Sequence, residues 1–502
     1  MAKLDLAGKT SIFLLVICFS TGLGVGWVSY LSSKASIETI TFDRLTAIQS
    51  ARSNEVQRYF EQIARQLQTL SANPTTIAAL HDFRLAYSEL AITEEGKQRA
   101  ETDGLLRDFY QTEFLIELSA HAQSDSQWLT TQTNALLPKS SAGRYLQHHY
   151  LAANPHSSRT RDQLVRGELD ISSYGAYHAR YHRFFQRYAE KFSYYDIFLV
   201  DSEGGNIVYS VFKESDFGTN LLTGPYRDTN IARAFELARS AGSPDATYFV
   251  DYRPYLPSHT APAAFFASAV FQDGEQIGVL IFQIPVDQIN NVMTGNQQWT
   301  AHGLGASGET YLVGPDFTMR SASRFFIENP EDYLQALAEL DYPIQKLDRL
   351  KRFGTAILTQ EVSSNSVLLA LQGDSGAHII DDYRGVPVLS SFGPVTIGSQ
   401  HWAVIAEIDA AEAFAPITAL GLVISAATLL IGLVMVVIGM RLSRSLTQPI
   451  SALTTAALQV GAGQVIEPLK QTSNDEIGAL TKQFNHMAHS LHQQRLTIDK
   501  QT

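Results

Sequence analysis

His178 and His182 stand four residues apart in a stretch of helical spacing, so both imidazoles would share one face and could ligate a metal. No glutamate lies between them to serve as general base, and Tyr177 and Tyr181 flank the pair, which favours aromatic packing over metal binding. Gly303-Leu-Gly305-Ala-Ser-Gly308 fits the G-x-G-x-x-G pattern that lays backbone amides against a pyrophosphate. That loop must follow a strand and open a helix, whereas this one precedes a strand-like run, so no nucleotide site is expected. Gly373-Asp-Ser375-Gly376 could present a serine nucleophile, but the chemistry needs positioned His and Asp partners. It reads as a turn before a strand. These motifs imply no catalytic residue, no metal and no cofactor.

The elements around them fall into two kinds. From Ile37 to Leu70 the chain lacks internal proline and glycine, and Phe60, Ile63, Leu67 and Leu70 recur at helical spacing, predicting one long helix with a packing seam. Asn73-Pro74 breaks it, and helical spacing then continues to roughly residue 120, with a further helix from Tyr174 to Phe192. After that the period changes. Tyr195 to Asp201 and Asn206 to Val211 predict a β-hairpin around Ser202-Glu-Gly-Gly205. A helix from Asn230 to Ser240 and strands Thr247 to Asp251, Ala263 to Phe271 and Gln276 to Ile284 follow, with Asp273-Gly274 as a tight turn. The order is then repeated: strands Glu309 to Val313 and Thr318 to Ser323, a helical stretch Asp332 to Lys351, and strands Ala377 to Asp381, Val386 to Phe392 and Trp402 to Ile408.

Two uncharged apolar runs bracket all of this. Ser11 to Leu31 and Phe414 to Met440 are each long enough to cross about 30 Å of hydrocarbon. Lys3 and Lys9 precede the first and Arg441 and Arg444 follow the second, which puts both termini in the cytoplasm and the intervening region outside. The first run could also be read as a signal peptide, but its apolar character continues through Trp27, Val28 and Leu31 without a clear cleavage site. Gly22, Gly24 and Gly26 within it would permit close helix approach.

Composition narrows the function class. The chain has 502 residues and a net charge of -12, which offers no basic footprint for nucleic acid. Its single cysteine, Cys18, lies in the first apolar run, so an apolar core and not disulfides must hold the external region.

After the second run, Leu446, Ile450, Leu453, Ala457 and Val460 repeat at heptad spacing, as do Ile477, Leu480, Phe484, Met487 and Leu491. Pro449 near the first of these helices and Asp475-Glu476-Ile477-Gly478 at the start of the second resemble the signature points of a HAMP domain. The long leading helix, the two modules and their closing strands, Ile277 to Ile284 and Trp402 to Ile408, resemble a double Cache sensor, over roughly residues 36 to 412.

These resemblances imply an α+β fold. A long N-terminal helix and two tandem PAS-like antiparallel-sheet modules would stand outside the membrane, with two transmembrane helices and a cytoplasmic HAMP bundle. The expected division is 1–10 cytoplasmic, 11–31 first span, 36–412 sensor (helical region 36–192, modules 193–298 and 299–412), 414–440 second span, 441–494 HAMP and 495–502 tail. HAMP domains are parallel four-helix bundles, so a homodimer is implied, with Pro449, Glu476 and Gly478 as relay points.

The first Cache module would hold a small-molecule ligand among Tyr226, Arg227, Asp251, Tyr252, Arg253, Tyr255, Ser268 and Gln283. Asp251 and Arg253 could instead pair with each other, or with Arg227 and Asp228. The amino-acid-binding subset of the family places an acidic residue on its last strand, where Gln283 stands here, so a conventional amino-acid ligand is not implied. The stretch from His492 to Thr502 is too short for a kinase, cyclase or methylated hairpin. The expected protein is a sensor of the bacterial inner membrane, in contact with lipid, that relays to an output domain absent from this chain. The alternative is a membrane-anchored regulatory subunit that signals through a cytoplasmic partner.

Overall fold

A computed structural model describes residues 6–92, 99–115, 126–157, 160–168 and 170–498. The chain divides into two compact units, residues 40–412 and residues 1–39 with 413–502.

The larger unit begins within helix α1 (Leu6–Ser71), whose seam residues Phe60, Ile63, Leu67 and Leu70 are buried as their spacing predicts. The Asn73 side chain accepts from the Thr75 amide (2.8 Å), and Pro74 opens helix α2 (Pro74–Ile92). Helices α3 (Arg99–Phe109), α4 (Ser126–Leu136), α5 (Ser141–Gln147) and α6 (Ser173–Phe192) follow. Part of the helical stretch expected to reach residue 120 lies outside the described residues. A π-turn, Tyr110–Phe114, prolongs α3.

The first sheet has strand order β2-β1-β5-β4-β3, from β1 (Asp196–Asp201), β2 (Ile207–Ser210), β3 (Thr247–Tyr255), β4 (Ala261–Gln272) and β5 (Glu275–Ile284). Every pairing is antiparallel, and helix α7 (Asn230–Arg239) lies between the hairpin and β3. Ala263 to Val270 are buried without alternation because both faces of β4 are covered, by helices on each side.

The second sheet has order β6-β9-β8-β7, from β6 (Glu309–Val313), β7 (Gly376–Asp381), β8 (Pro387–Ile397) and β9 (Gln400–Asp409). The segment Thr318 to Ser323, expected as a strand, forms only the isolated bridges Val313 to Met319 and Thr318 to Glu361. The Arg320 amide donates to the Leu312 carbonyl at 2.7 Å, but the Leu312 amide turns to the Ser321 hydroxyl at 3.0 Å, so a side chain replaces the returning ladder bond. The helix expected over Asp332 to Lys351 is two helices, α10 (Pro330–Glu339) and α11 (Ile344–Phe353), because Pro343 interrupts it. The short helices α8 (Asp287–Thr294), α9 (Arg324–Glu328) and α12 (Asn365–Leu371) complete this unit, and α12 is the one that packs on β8 and β9.

A single aromatic joint ties the two sheets together. Phe60 of α1 lies 5.1 Å from Phe249 of β3 and 5.6 Å from Trp402 of β9, ring centre to ring centre. Leu312, Val395, Ile397, Trp402 and Val404 of the second sheet therefore belong to the core of the first.

In the other unit, two helices are long and apolar enough to cross a membrane, the start of α1 and helix α13 (Ala410–Leu442). A Cβ at Gly26 would sit 3.2 Å from the Ile424 side chain, and one at Gly22 would press on Thr428, so these two glycines lie on a contact face, whereas Gly24 has no neighbour within 4 Å. Helices α14 (Gln448–Gly461) and α15 (Glu476–Ile498) follow, joined by an extended connector. Asn485 pins that connector with two bonds to the Leu469 backbone, at 2.9 and 2.7 Å.

Candidate functional site

The segment between β2 and α7 carries a run the sequence reading passed over, Lys213-Glu-Ser-Asp216. All four side chains are buried. It is positioned from below by Asp196 of β1, whose carboxylate accepts from the Val211 and Phe212 amides (2.8 and 3.1 Å) and the Ser210 hydroxyl (2.6 Å). It is held from above by the helices. Tyr110 and Gln147 donate to the Ser215 carbonyl (3.3 and 2.8 Å), Gln147 also to that of Phe217 (2.8 Å), and Tyr87 to that of Gly218 (3.1 Å). Gly143 is required there, since a Cβ would collide with the Gly218 carbonyl.

Around this run lies a ring of hydroxyls. Tyr195 and Ser258 each donate to Glu214 at 2.6 Å, Tyr226 and Ser215 share a bond of 2.7 Å, and Tyr255 donates to Asp216. Gln283 of β5 donates to Ser258 at 3.1 Å. Two buried acceptors, Asp216 Oδ1 and Gln283 Oε1, have no hydrogen-bond partner among the described residues. A buried acceptor without a donor costs about 1–3 kcal/mol, so this is where a ligand's donors would bring most. Burial pushes the Asp216 carboxyl well above the usual carboxylate range, and the neighbouring Glu214 adds to the rise. Burial likewise raises Asp196 to about 7 and lowers Lys213 to about 7. Lys213 donates to the Val211 carbonyl at 2.7 Å.

The structure thus brings together Tyr226, Tyr255 and Gln283 from the expected set. The others lie elsewhere. Arg227 is exposed and pairs with Asp228 (3.3 Å), Arg253 is exposed, and Ser268 donates to the Ala246 carbonyl (3.1 Å). Tyr252 reaches the Pro285 carbonyl. Asp251 faces the second module, where Arg320 binds it through Nε and Nη2 (3.0 to 3.2 Å) and the Trp402 indole donates at 3.3 Å. The signal that could have exposed the missed acids is a charged run flanked by Phe212 and Phe217 directly after a strand, a costly arrangement in a core unless something uses it.

His178 and His182 stack at 4.5 Å between ring centres. Their nitrogens meet the Val165 carbonyl (2.6 Å), the Asp162 carbonyl (2.5 Å) and the Tyr209 hydroxyl (2.8 Å), and burial lowers both pKa values, His182 to about 2. Among the described residues no group of three or more His, Cys, Asp or Glu could hold a metal ion.

The second module buries its own acids. Glu309 of β6 and Glu407 of β9 stand directly opposite in register. Tyr383 donates to Glu309 (2.6 Å), and Tyr311 and Ser390 donate to Glu407 (3.0 and 2.9 Å). Burial raises them to about 7 and about 8. Below them the loop Gly305 to Ser307 wraps the Glu412 carboxylate, with bonds from the Ala306 amide (2.8 Å), the Ser307 amide (2.7 Å) and the Ser307 hydroxyl (2.5 Å). Burial opposes the Glu412 charge, but these donors outweigh it and hold its pKa below the ordinary value.

In the C-terminal helices, Pro449 sits in the first turn of α14. Asp475 caps α15 by accepting from the Ile477 and Gly478 amides (3.0 and 3.1 Å), while Glu476 is exposed. Gly478 meets the Ser473 carbonyl so closely that no Cβ fits.

Comparison with known proteins agrees with this last part. The HAMP domain model matches residues 441–493, so the chain carries a HAMP domain after its second apolar helix. Methyl-accepting chemotaxis protein McpA of Bacillus subtilis (strain 168) is 35% identical over 80 residues, 16% of this chain. TlpA of the same organism is 42% identical over 48 residues, 10% of this chain. The matches span only 12% and 7% of the length of these two relatives. Similar solved structures include the ligand-binding domain of the Pseudomonas aeruginosa PAO1 amino acid chemoreceptor PctC in complex with GABA. It is 11% identical with a TM-score of 0.33, covering 74% of this chain and 100% of that one. The sensor domain of the V. cholerae histidine kinase DctB is 13% identical with a TM-score of 0.28, covering 61% and 98%.

Proposed function

We propose that this chain is the sensory and relay part of a bacterial transmembrane signalling receptor, with residues 40–412 outside the membrane and the HAMP domain in the cytoplasm. The observation that carries the reading is the HAMP domain placed directly after an apolar helix of membrane-spanning length. HAMP helices bury their seams against a second copy. Here the seam residues Leu446, Ile450, Leu480, Met487 and Leu491 are exposed in the single chain, which supports a homodimer. The protein makes no bond; it shifts between two packings.

The stimulus in this reading is a small solute carrying an ammonium group, bound at the Asp216 and Gln283 acceptors of the first module. An ammonium offers three donors and the positive charge that the buried acids lack. Binding would draw the proton from Asp216, so affinity should rise with pH. Differential scanning fluorimetry of residues 40–412 against amines, amino acids, carboxylates and sugars tests this through ligand linkage. Primary amines, or molecules containing one, are expected to raise the melting temperature in a dose-dependent way. Asp216→Asn should weaken that response about 30-fold or more while leaving the unliganded protein as stable or more so. A response confined to carboxylates or sugars, or one that survives Asp216→Asn, defeats the assignment.

A further inference from the structure

The loop whose sequence imitates a phosphate-binding motif has an occupant supplied by the chain itself. Gly305 adopts φ +63°, in the left-handed region, and a Cβ there would strike the Glu412 carboxylate; Gly308 is equally tight against the Leu304 carbonyl. The amides of Ala306 and Ser307 consequently converge on one point, and both oxygens of Glu412 fill it. The loop's carbonyls are gripped from the other side. Arg324 donates to those of Gly305 (3.2 Å) and Gly308 (2.6 Å), pairs with Glu328 (3.0 Å) and offers its own amide to Glu309 (3.0 Å). The Ser307 hydroxyl also accepts from the Asp409 amide at 3.1 Å, where β9 ends. Glu412 lies in the first turn of α13, so the 305–308 loop and the end of β9 meet at the start of the helix that leads to the second apolar run.

We propose that Glu412 is a latch: its engagement by the Gly305–Ser307 loop fixes the first turn of α13, and its release is a step in the relay. The inference rests on the receptor reading above, but it needs no ligand to be tested. Glu412 is a positioning residue here. What it positions is the helix start, and the element that senses the module's state is the loop braced by Arg324 next to Glu309. The bonds are charge-assisted and pre-formed, so an amide in place of the carboxylate keeps the size but reverses one bonding partner and removes the charge.

The test is hydrogen exchange by mass spectrometry on the full chain in lipid nanodiscs, comparing the native protein with Glu412→Gln, Ser307→Ala and Gly305→Ala. Exchange at residues 303–308 is expected to accelerate about tenfold or more in Glu412→Gln and Gly305→Ala, and less in Ser307→Ala, which loses the bond from Asp409 and only one of the three to Glu412. The strands of the first sheet should keep their protection in every variant, which shows the fold intact. Exchange in residues 443–493 should change in the same order as the loop, a response that a purely local anchor would not produce. Unchanged exchange at 303–308 overturns the latch itself. A loosened loop with unaltered exchange at 443–493 overturns its part in the relay while leaving the sensing reading untouched. Failure of the amine screen, in turn, leaves the latch standing.

Discussion

Arg320→Ala is expected to destabilise residues 40–412 by about 3–5 kcal/mol, the cost of stranding one half of a buried ion pair. Arg320 is 3% exposed at its side chain and Asp251 15%. Its guanidinium also bonds the Thr318 carbonyl (2.9 Å) and Asp316 (2.9 Å), so its removal takes a charged donor from several acceptors at once. Asp251 would retain only the Trp402 indole and the Tyr252 amide, neither of which carries charge. The pair joins β3 of the first sheet to the segment after β6, so the loss should fall on the joint between modules. Urea unfolding of native, Arg320→Ala, Asp251→Asn and the double variant forms a cycle. The double variant should be more stable than Arg320→Ala alone, because no carboxylate remains to be stranded. A loss under 1 kcal/mol in Arg320→Ala would show that the pair does not hold the joint.

The second large effect concerns pH. Glu309 and Glu407 face each other across adjacent strands inside the second module, where two negative charges cannot both be accommodated without cost. Folding raises both carboxyl pKa values above the unfolded one, so the folded state holds protons that the unfolded state has released. Their contribution is fully present below the unfolded pKa of about 4.5 and is lost as pH rises through about 7 for Glu309 and about 8 for Glu407. Buried His178 and His182 act in the opposite direction. Their depressed values make acid costly below the ordinary histidine pKa, and Lys213 adds its own dependence above 7. The contribution of the pair is therefore read as a difference between native protein and Glu407→Gln. The native protein's stability relative to this variant should fall by roughly 1 kcal/mol per pH unit between about pH 5 and 8. Equal slopes for the two proteins would mean that Glu407 is ionised throughout.

The two sheets were legible in the sequence because their strands obey strong local rules. β-Branched and aromatic residues fill Asp196 to Asp201 and Glu309 to Val313, and Asp273-Gly274 marks its own turn. Thr318 to Ser323 misled because it has strand composition, yet the Ser321 hydroxyl takes the Leu312 amide that a partner strand's carbonyl would bind. The expected site was partly legible for a similar reason. Tyr255 and Gln283 lie on strands whose placement follows from the fold, whereas Glu214 and Asp216, like Tyr226, lie in the segment between β2 and α7, which is shaped by distant helices. No window of sequence states that Gln147 and Tyr110 will hold the Ser215 carbonyl. Likewise the glycine motif at 303–308 was discounted as a nucleotide loop, and only the structure shows that its amides hold the Glu412 carboxylate.

The shared aromatic joint of Phe60, Phe249 and Trp402 bears on how this protein can be taken apart. A fragment ending after β5 would lose Trp402 and Arg320 together, exposing Phe249 and leaving Asp251 without its cation. A fragment beginning at β6 would lose the wall against which Trp402 packs. Neither half is a separable part, so soluble pieces for crystallography or ligand screening should run from within α1 past the end of β9. By the same reasoning, recombination between related genes at the boundary of the two sheets should give inviable hybrids unless both sides of the joint come from one parent.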